Sequence, residues 1–237
     1  MLYMYGLDWL YLVLVLPCIL FAAIASANVN GTFKKYSKQL SRRHITGAEA
    51  AQRVLLANGV TGVRIEGVPG KLTDHYDPKN NVIRLSADVY SSTSTAAIGV
   101  ACHEAGHAVQ YAKSYAPIKL RAAIIPITNI GSHLAMPLIL IGLLFGAAAE
   151  MSYIFIDLGI ACFSLSLIFQ LITLPVEFDA SHRALSTIKQ AELLTAEEQK
   201  GARKTLTAAA MTYVAAVAVA LAQLLRLMLL FGGRRDD

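Results

Sequence analysis

A chain of 237 residues that is 55% hydrophobic and only 16% charged lies well to the apolar side of an ordinary soluble domain, in which about a quarter of the residues are charged. Its net charge of +5 comes from short basic flanks beside apolar runs. The cations are not interleaved with aromatic residues along a groove, so a nucleic-acid partner is not expected. Cys18, Cys102 and Cys162 have no CxxC spacing and are odd in number, which argues against a disulfide framework and against a thiolate zinc cage.

Four apolar runs, at roughly residues 9 to 27, 122 to 147, 151 to 175 and 208 to 231, are each long enough to cross a hydrocarbon core of about 30 Å, which takes about 20 helical residues. The first ends in Ala25-Ser26-Ala27, a cleavage-like triplet, but Met1 to Asp8 contains no Lys or Arg. A signal sequence needs a basic segment there, so the run is read as a retained anchor. Lys34, Lys35, Lys38, Arg42 and Arg43 follow it, and the positive-inside rule places them in the cytoplasm. Runs two and three are separated only by the stretch around Glu150 and are expected to form a helical hairpin. That puts residues 28–121 and 176–207 on one face, and the second of these is again basic through Arg183, Lys189, Lys200, Arg203 and Lys204. Arg234 and Arg235 oppose this orientation. The expected organisation is an N-terminal transmembrane anchor (1–27), a cytoplasm-facing α+β region (28–121), a transmembrane hairpin (122–175), a helical segment (176–207), and a C-terminal transmembrane helix and tail (208–237).

The water-facing part mixes helix and strand. Thr46 with Glu49 forms a capping box and Asn58-Gly59 a left-handed stop, so residues 47–58 are expected to be a helix. Val63 to Val68 alternates as a strand does. Asp77-Pro78-Lys79-Asn80-Asn81 is turn chemistry, and Val82 to Ser86 resumes as the second strand of a hairpin. Ser91 to Thr95 caps a helix from about Ala96 to Lys113. A second capping box, Thr195 with Glu198, starts a helix able to continue into the last span.

Residues 103–107 read His-Glu-Ala-Gly-His, an HExxH pattern that chance places in about one chain of this length in a hundred. On a helix, His103 and His107 fall at i and i+4 on one face, the spacing a single metal ion needs, and Glu104 lies beside them. The chemistry this spacing supports is a zinc ion with Glu104 taking a proton from its bound water. Gly106 in a helix interior costs about 1 kcal/mol relative to Ala, which points to a neighbouring backbone close by. Two solvated histidines, or a purely structural metal site, are the plainer readings.

A catalytic zinc site usually has three protein ligands, and Glu177 is the best candidate for the third. The hairpin returns the chain to the cytoplasmic surface at Pro175. On a helix, Ala180, Ser181 and Ala184 would share the Glu177 face and leave room for an ion and a facing helix. His182 would sit about 140° around that helix, and Asp179 is also turned away. Ser181 is a candidate hydrogen-bond partner for a ligand imidazole. His75 and Tyr76 stand at a turn and are weaker candidates. His133 and Asp157 lie within spans, where polar groups are functional candidates by default, but structural roles are expected for both. His44 is expected at the surface.

Taken together, Leu72 to Pro78 (Leu-Thr-Asp-His-Tyr-Asp-Pro), Val82 to Tyr90, His103 to Gln110 and Glu177-Phe178-Asp179-Ala180 resemble the bacterial membrane zinc metallopeptidases called neutral zinc metallopeptidase 2. They are more distantly similar to the HtpX and CAAX-prenyl peptidases. The resemblance covers nearly the whole chain and implies proteolytic activity without supplying a substrate. The distant relatives carry their third ligand in a Glu-x-x-Ala-Asp pattern. Glu177 to Ala180 fits its first four positions and Ser181 replaces the Asp.

The sequence thus points to an α+β zincin-like domain of the gluzincin type, integrated with a scaffold of about four transmembrane helices. It would act in the plasma membrane as a Zn²⁺ endopeptidase with its site on the cytoplasmic side, using Glu104 as base and His103, His107 and Glu177 as ligands. Peptide or membrane-protein substrates are expected to bind extended, as an added strand along the edge formed by Val82, Ile83, Arg84, Leu85 and Ser86. The lipid bilayer is the other expected partner, with an oligomer or a membrane-protein partner left open. A non-catalytic, metal-stabilised scaffold is the rival from another class. An intramembrane site-2-like protease would need HExxH inside a span, and Asp157-Leu158-Gly159 does not restore that class's pattern. A channel or transporter is disfavoured, because the spans lack paired Gly or Pro interruptions.

Overall fold

The computed structural model describes residues 8–145 and 150–232; Arg234 and Arg235 lie outside them. The chain is mostly helical with one small sheet. One π-helical turn, Tyr11–Val15, leads into α1 (Leu16–Tyr36). There follow α2 (Gly47–Ala57), β1 (Arg64–Val68), β2 (His75–Asp77), β3 (Val82–Ser86), the short α3 (Ala87–Tyr90), α4 (Thr95–Ala112), α5 (Ala116–Leu144), α6 (Glu150–Gln190) and α7 (Ala196–Phe231). By length and composition, four helical segments among the described residues, Tyr11–Tyr36, Ala116–Leu144, Glu150–Gln190 and Ala196–Phe231, are able to cross a membrane. Each runs past the apolar stretch that marks it in the sequence. α6 continues through Pro175 and α5 through Pro126 and Pro137, as membrane helices tolerate when neighbouring groups re-satisfy the freed carbonyls.

The described residues fall into two compact units. The first comprises residues 8–24, 120–145, 150–174 and 212–232. It turns large apolar side chains outward, among them Ile127, Ile130, Leu144, Ile154, Leu221 and Leu229, as helices solvated by lipid do. Inside it α5 and α6 approach backbone to backbone: a Cβ on Gly159 would stand 2.8 Å from the Ala135 carbonyl oxygen. Asp8 and Arg226 are both buried, and Arg226 Nε donates to Asp8 Oδ2 at 2.9 Å. The Arg226 guanidinium also lies 5.4 Å from the Tyr11 ring centroid. Pairing of this kind is what an ionisable group among spans requires.

The second unit comprises Ala25–Lys119 and Pro175–Met211. α2 begins at the Thr46/Glu49 capping box and stops at Asn58, with Gly59 at φ +70°. α4 starts where Ser94 Oγ accepts from Ala97 N. It is buried on nearly every side, which makes it the central element of a core. Val54 and Leu55 of α2, Ile83 and Leu85 of β3, and Ile188 of α6 pack around Ile98, Cys102 and Val109. The apolar character of residues 96–102 therefore reflects a core helix, and α4 is not among the four membrane-length segments.

The sheet corrects one expectation. Its order is β1-β3-β2, with β1 parallel to β3 from Arg64↔Val82 to Val68↔Ser86, and β2 antiparallel to it from His75↔Arg84 to Asp77↔Val82. The hairpin joins β2 to β3, and β1 pairs from further away. Val82, Ile83, Arg84, Leu85 and Ser86 thus form the middle strand, not an edge. Ser86 N is also taken by Asp74 Oδ1 at 2.8 Å, so this strand has no free side to which a peptide could add.

Candidate metal centre

α4 carries His103 and Glu104 on one turn and His107 on the next, and α6 faces it with Glu177, Ala180 and Ser181. The helices touch at Gly106, where a Cβ would lie 2.6 Å from the Ala180 carbonyl oxygen and 3.2 Å from its Cα. Only a residue without a side chain allows that approach, which is the reason for a glycine in the middle of the motif. The structure brings His103, His107 and Glu177 together, each offering one ligand atom, all within 4.8 Å of one another. Glu177 Oε2 stands 3.2 Å from His103 Nε2 and 3.5 Å from His107 Nε2. Donors at zinc bonding distance around one tetrahedral centre lie about 3.3 Å apart, which is close to the spacing of the Glu177 oxygen from each of the two nitrogens.

The other nitrogen of each imidazole has its own partner. His103 Nδ1 is 3.0 Å from Ser181 Oγ. His107 Nδ1 is 3.0 Å from Gln110 Oε1. The Gln110 amide can face only one way: its Nε2 donates to Val176 O and to Asp179 Oδ2, both at 2.8 Å, and neither of those atoms can donate in return. Oε1 must therefore turn to His107, whose Nδ1 must be the protonated nitrogen, and this leaves the Nε2 lone pair pointing at the ligand cluster. Arg183 Nε in turn donates to Asp179 Oδ2 at 2.5 Å, and its guanidinium lies 5.5 Å from the Tyr115 ring centroid.

The site is electrostatically disposed toward a cation. Burial pushes the Glu177 carboxyl up, but the hydrogen bonds and charge of His103 and His107 outweigh it and hold the group well below the usual carboxylate range. Burial pulls His107 down, while the Glu177 hydrogen bond and the charge of nearby Glu104 outweigh that effect and raise it. Glu104 is only 9% exposed. No donor among the described residues hydrogen-bonds its carboxylate.

Of the other residues singled out in the sequence, His182 lines a separate cleft of about 450 Å³ with Lys189, Lys200 and Arg203. Asp179 holds Gln110 and Arg183 and contributes no atom to the ligand cluster. His75 is exposed, with Nδ1 on Thr73 O at 2.8 Å, while the Tyr76 ring packs 5.6 Å from that of Tyr111, one turn beyond His107. His133 Nδ1 lies 2.7 Å from Asn129 O. His44 is an exposed residue with φ +50°. The three cysteines are free. Sequence reading missed Gln110, Asp179 and Arg183 as supports of His107. The signal for Gln110 was present, because it is a polar residue three positions after His107 in an otherwise apolar stretch of helix.

This donor set on facing helices can hold one metal ion, and among the described residues four helices are long and apolar enough to cross a membrane. The chain belongs to the family described as "Putative neutral zinc metallopeptidase", whose profile matches residues 11–232. The curated "Putative membrane protease YugP" of Bacillus subtilis (strain 168) is 45% identical to it over 228 residues, which cover 96% of this chain and 99% of that protein. No solved structure matches.

Proposed function

We propose that this chain is a zinc metalloendopeptidase of the gluzincin type, with an α+β zincin-like site held by a helical membrane scaffold. The observation that carries the reading is the Nε2, Nε2, Oε2 cluster of His103, His107 and Glu177 beside an unbonded, buried Glu104 carboxylate. Zinc held there would polarise a scissile carbonyl and make water acidic enough to react near neutral pH. Glu104 accepts the proton of the attacking water and returns it to the leaving amine. Ser181 and Gln110 keep the two imidazoles oriented, and the surrounding apolar core keeps bulk water from the carboxylates.

The substrates are peptides or membrane proteins presented at the cytoplasmic surface of the plasma membrane, an orientation supported by the basic segments that follow the first and third spans. With β3 covered on both sides, an extended substrate pairs with an outer strand. The intramembrane alternative loses ground because α4 is a core helix of the second unit. No observation favours a non-catalytic scaffold.

The deciding experiment is Glu104→Gln, which preserves volume and the three candidate ligands. Zinc content and melting should match the parent, while cleavage of a peptide or membrane-protein library should fall by about 10² to 10⁴. A Gln variant that holds zinc and cleaves at the parental rate refutes the reading. Absence of cleavage by the zinc-loaded parent would favour the scaffold.

A further inference from the structure

Away from the ligand cluster, the second unit contains a cleft of about 800 Å³ whose lining includes Phe33, Lys34, Lys38, Lys71, Leu72 and Asp88. We propose that it binds the headgroup and glycerol region of an anionic glycerophospholipid, with Lys34, Lys38 and Lys71 on the phosphodiester.

Charge is the first argument. The three lysines are exposed, and none is in an ion pair among the described residues. With Asp88 as the only carboxylate on the lining among the described residues, the cleft is net cationic and complementary to a monoanionic phosphodiester. Asp88 can accept a hydrogen bond from a hydroxylated headgroup such as glycerol.

The second argument is level. The apolar run of residues 9–27 covers about 28 Å as a helix, close to the hydrocarbon core of about 30 Å. α1 then continues without a break to Tyr36. Lys34 lies about 10 Å beyond Ala27 along that helix, just past a headgroup layer about 5–8 Å deep. A lysine side chain reaches back over that difference by lying along apolar surface.

The third argument is shape. Phe33, Leu72 and Ala87 give the lining apolar surface, which suits an amphiphile and offers nothing to a free phosphate ion. Leu72 is 55% exposed in a left-handed backbone conformation of φ +56°, two residues after Gly70 at φ +105°. The Thr73 hydroxyl, donating to Pro69 O at 3.3 Å, closes this loop. The backbone thus presents Leu72 and Lys71 together.

The test is native mass spectrometry of the full chain released from mixed micelles. The probes are phosphatidylglycerol, phosphatidylcholine and inorganic phosphate. Phosphatidylglycerol should be retained at least tenfold more than phosphatidylcholine. The triple change Lys34→Gln, Lys38→Gln and Lys71→Gln should weaken that retention by roughly a hundredfold, at about fivefold per lysine near a membrane surface. The control Lys189→Gln, Lys200→Gln and Arg203→Gln removes the same charge from the other basic cleft and should leave retention intact. If the triple variant does not fold, Lys71→Gln alone, on the exposed loop, should show about a fivefold fall. Equal retention of the two lipids overturns the proposal, as does equal loss in both triple variants. Displacement of the lipid by millimolar inorganic phosphate would assign the cleft to a free anion and overturn it as well.

Discussion

Gly106→Ala tests whether the ligand cluster depends on contact between α4 and α6. The added Cβ would meet Ala180 O at 2.6 Å and its Cα and carbonyl carbon at 3.2 Å, and these backbone atoms cannot rotate away. Restoring ordinary contact near 3.5 Å requires the helices to part by about 0.9 Å at this point. Gly106 adjoins His107, and Ala180 lies one turn from Glu177, so the displacement falls on the ligands. Their present separations of 3.2 and 3.5 Å would open to about 4.1 and 4.4 Å, forcing metal bonds about 0.5 Å too long where the tolerance is about 0.2 Å. Stability behaves differently: overpacking costs about 1–3 kcal/mol, while replacing a mid-helix glycine returns about 1 kcal/mol, a net loss of about 0–2 kcal/mol. The expected result is a folded protein, melting a few degrees lower without metal, whose zinc affinity by chelator competition falls at least tenfold. Zinc binding at parental affinity would refute the geometric argument, whatever the melting temperature.

Gln110→Leu should lower zinc affinity by about 10- to 100-fold and cost about 1–3 kcal/mol in chemical denaturation, because it leaves the buried His107 Nδ1 proton without an acceptor. A variant with parental affinity would show that the tautomer of His107 is fixed in some other way. Glu198 concerns pH. Burial raises its carboxyl, but the backbone N–H groups of Thr195 and Arg42 and the Thr195 hydroxyl outweigh this and hold it below the usual carboxylate range. A depressed folded-state value gives stability that is present above the unfolded value and is lost as pH falls through the folded one. The melting advantage of the parent over Glu198→Gln should therefore shrink as pH drops from about 5 to 3, and an advantage independent of pH would contradict the assignment.

Much of this molecule is encoded within short stretches of chain. α2 starts at the Thr46/Glu49 box and stops at Asn58 because these residues satisfy helix ends locally. The four long helices follow from uninterrupted apolar length. HExxH places two imidazoles and a carboxylate on one helix by its spacing alone, and the period of 3.6 residues is sufficient to put Glu177, Ala180 and Ser181 on a common face. What tertiary structure decided involves partners distant in sequence. β3 became the middle strand because β1 pairs with it in parallel, a contact for which the local alternation of Val63 to Val68 specifies no partner. Gln110 acquired its role from Val176 and Asp179, groups on another helix that fix its amide by accepting both of its N–H bonds. The buried pairing of Asp8 with Arg226 likewise joins the two ends of the chain. Local periodicity is a property of consecutive residues, whereas the cost of burying a strand edge, an amide or a charge is set by whichever distant group arrives to satisfy it.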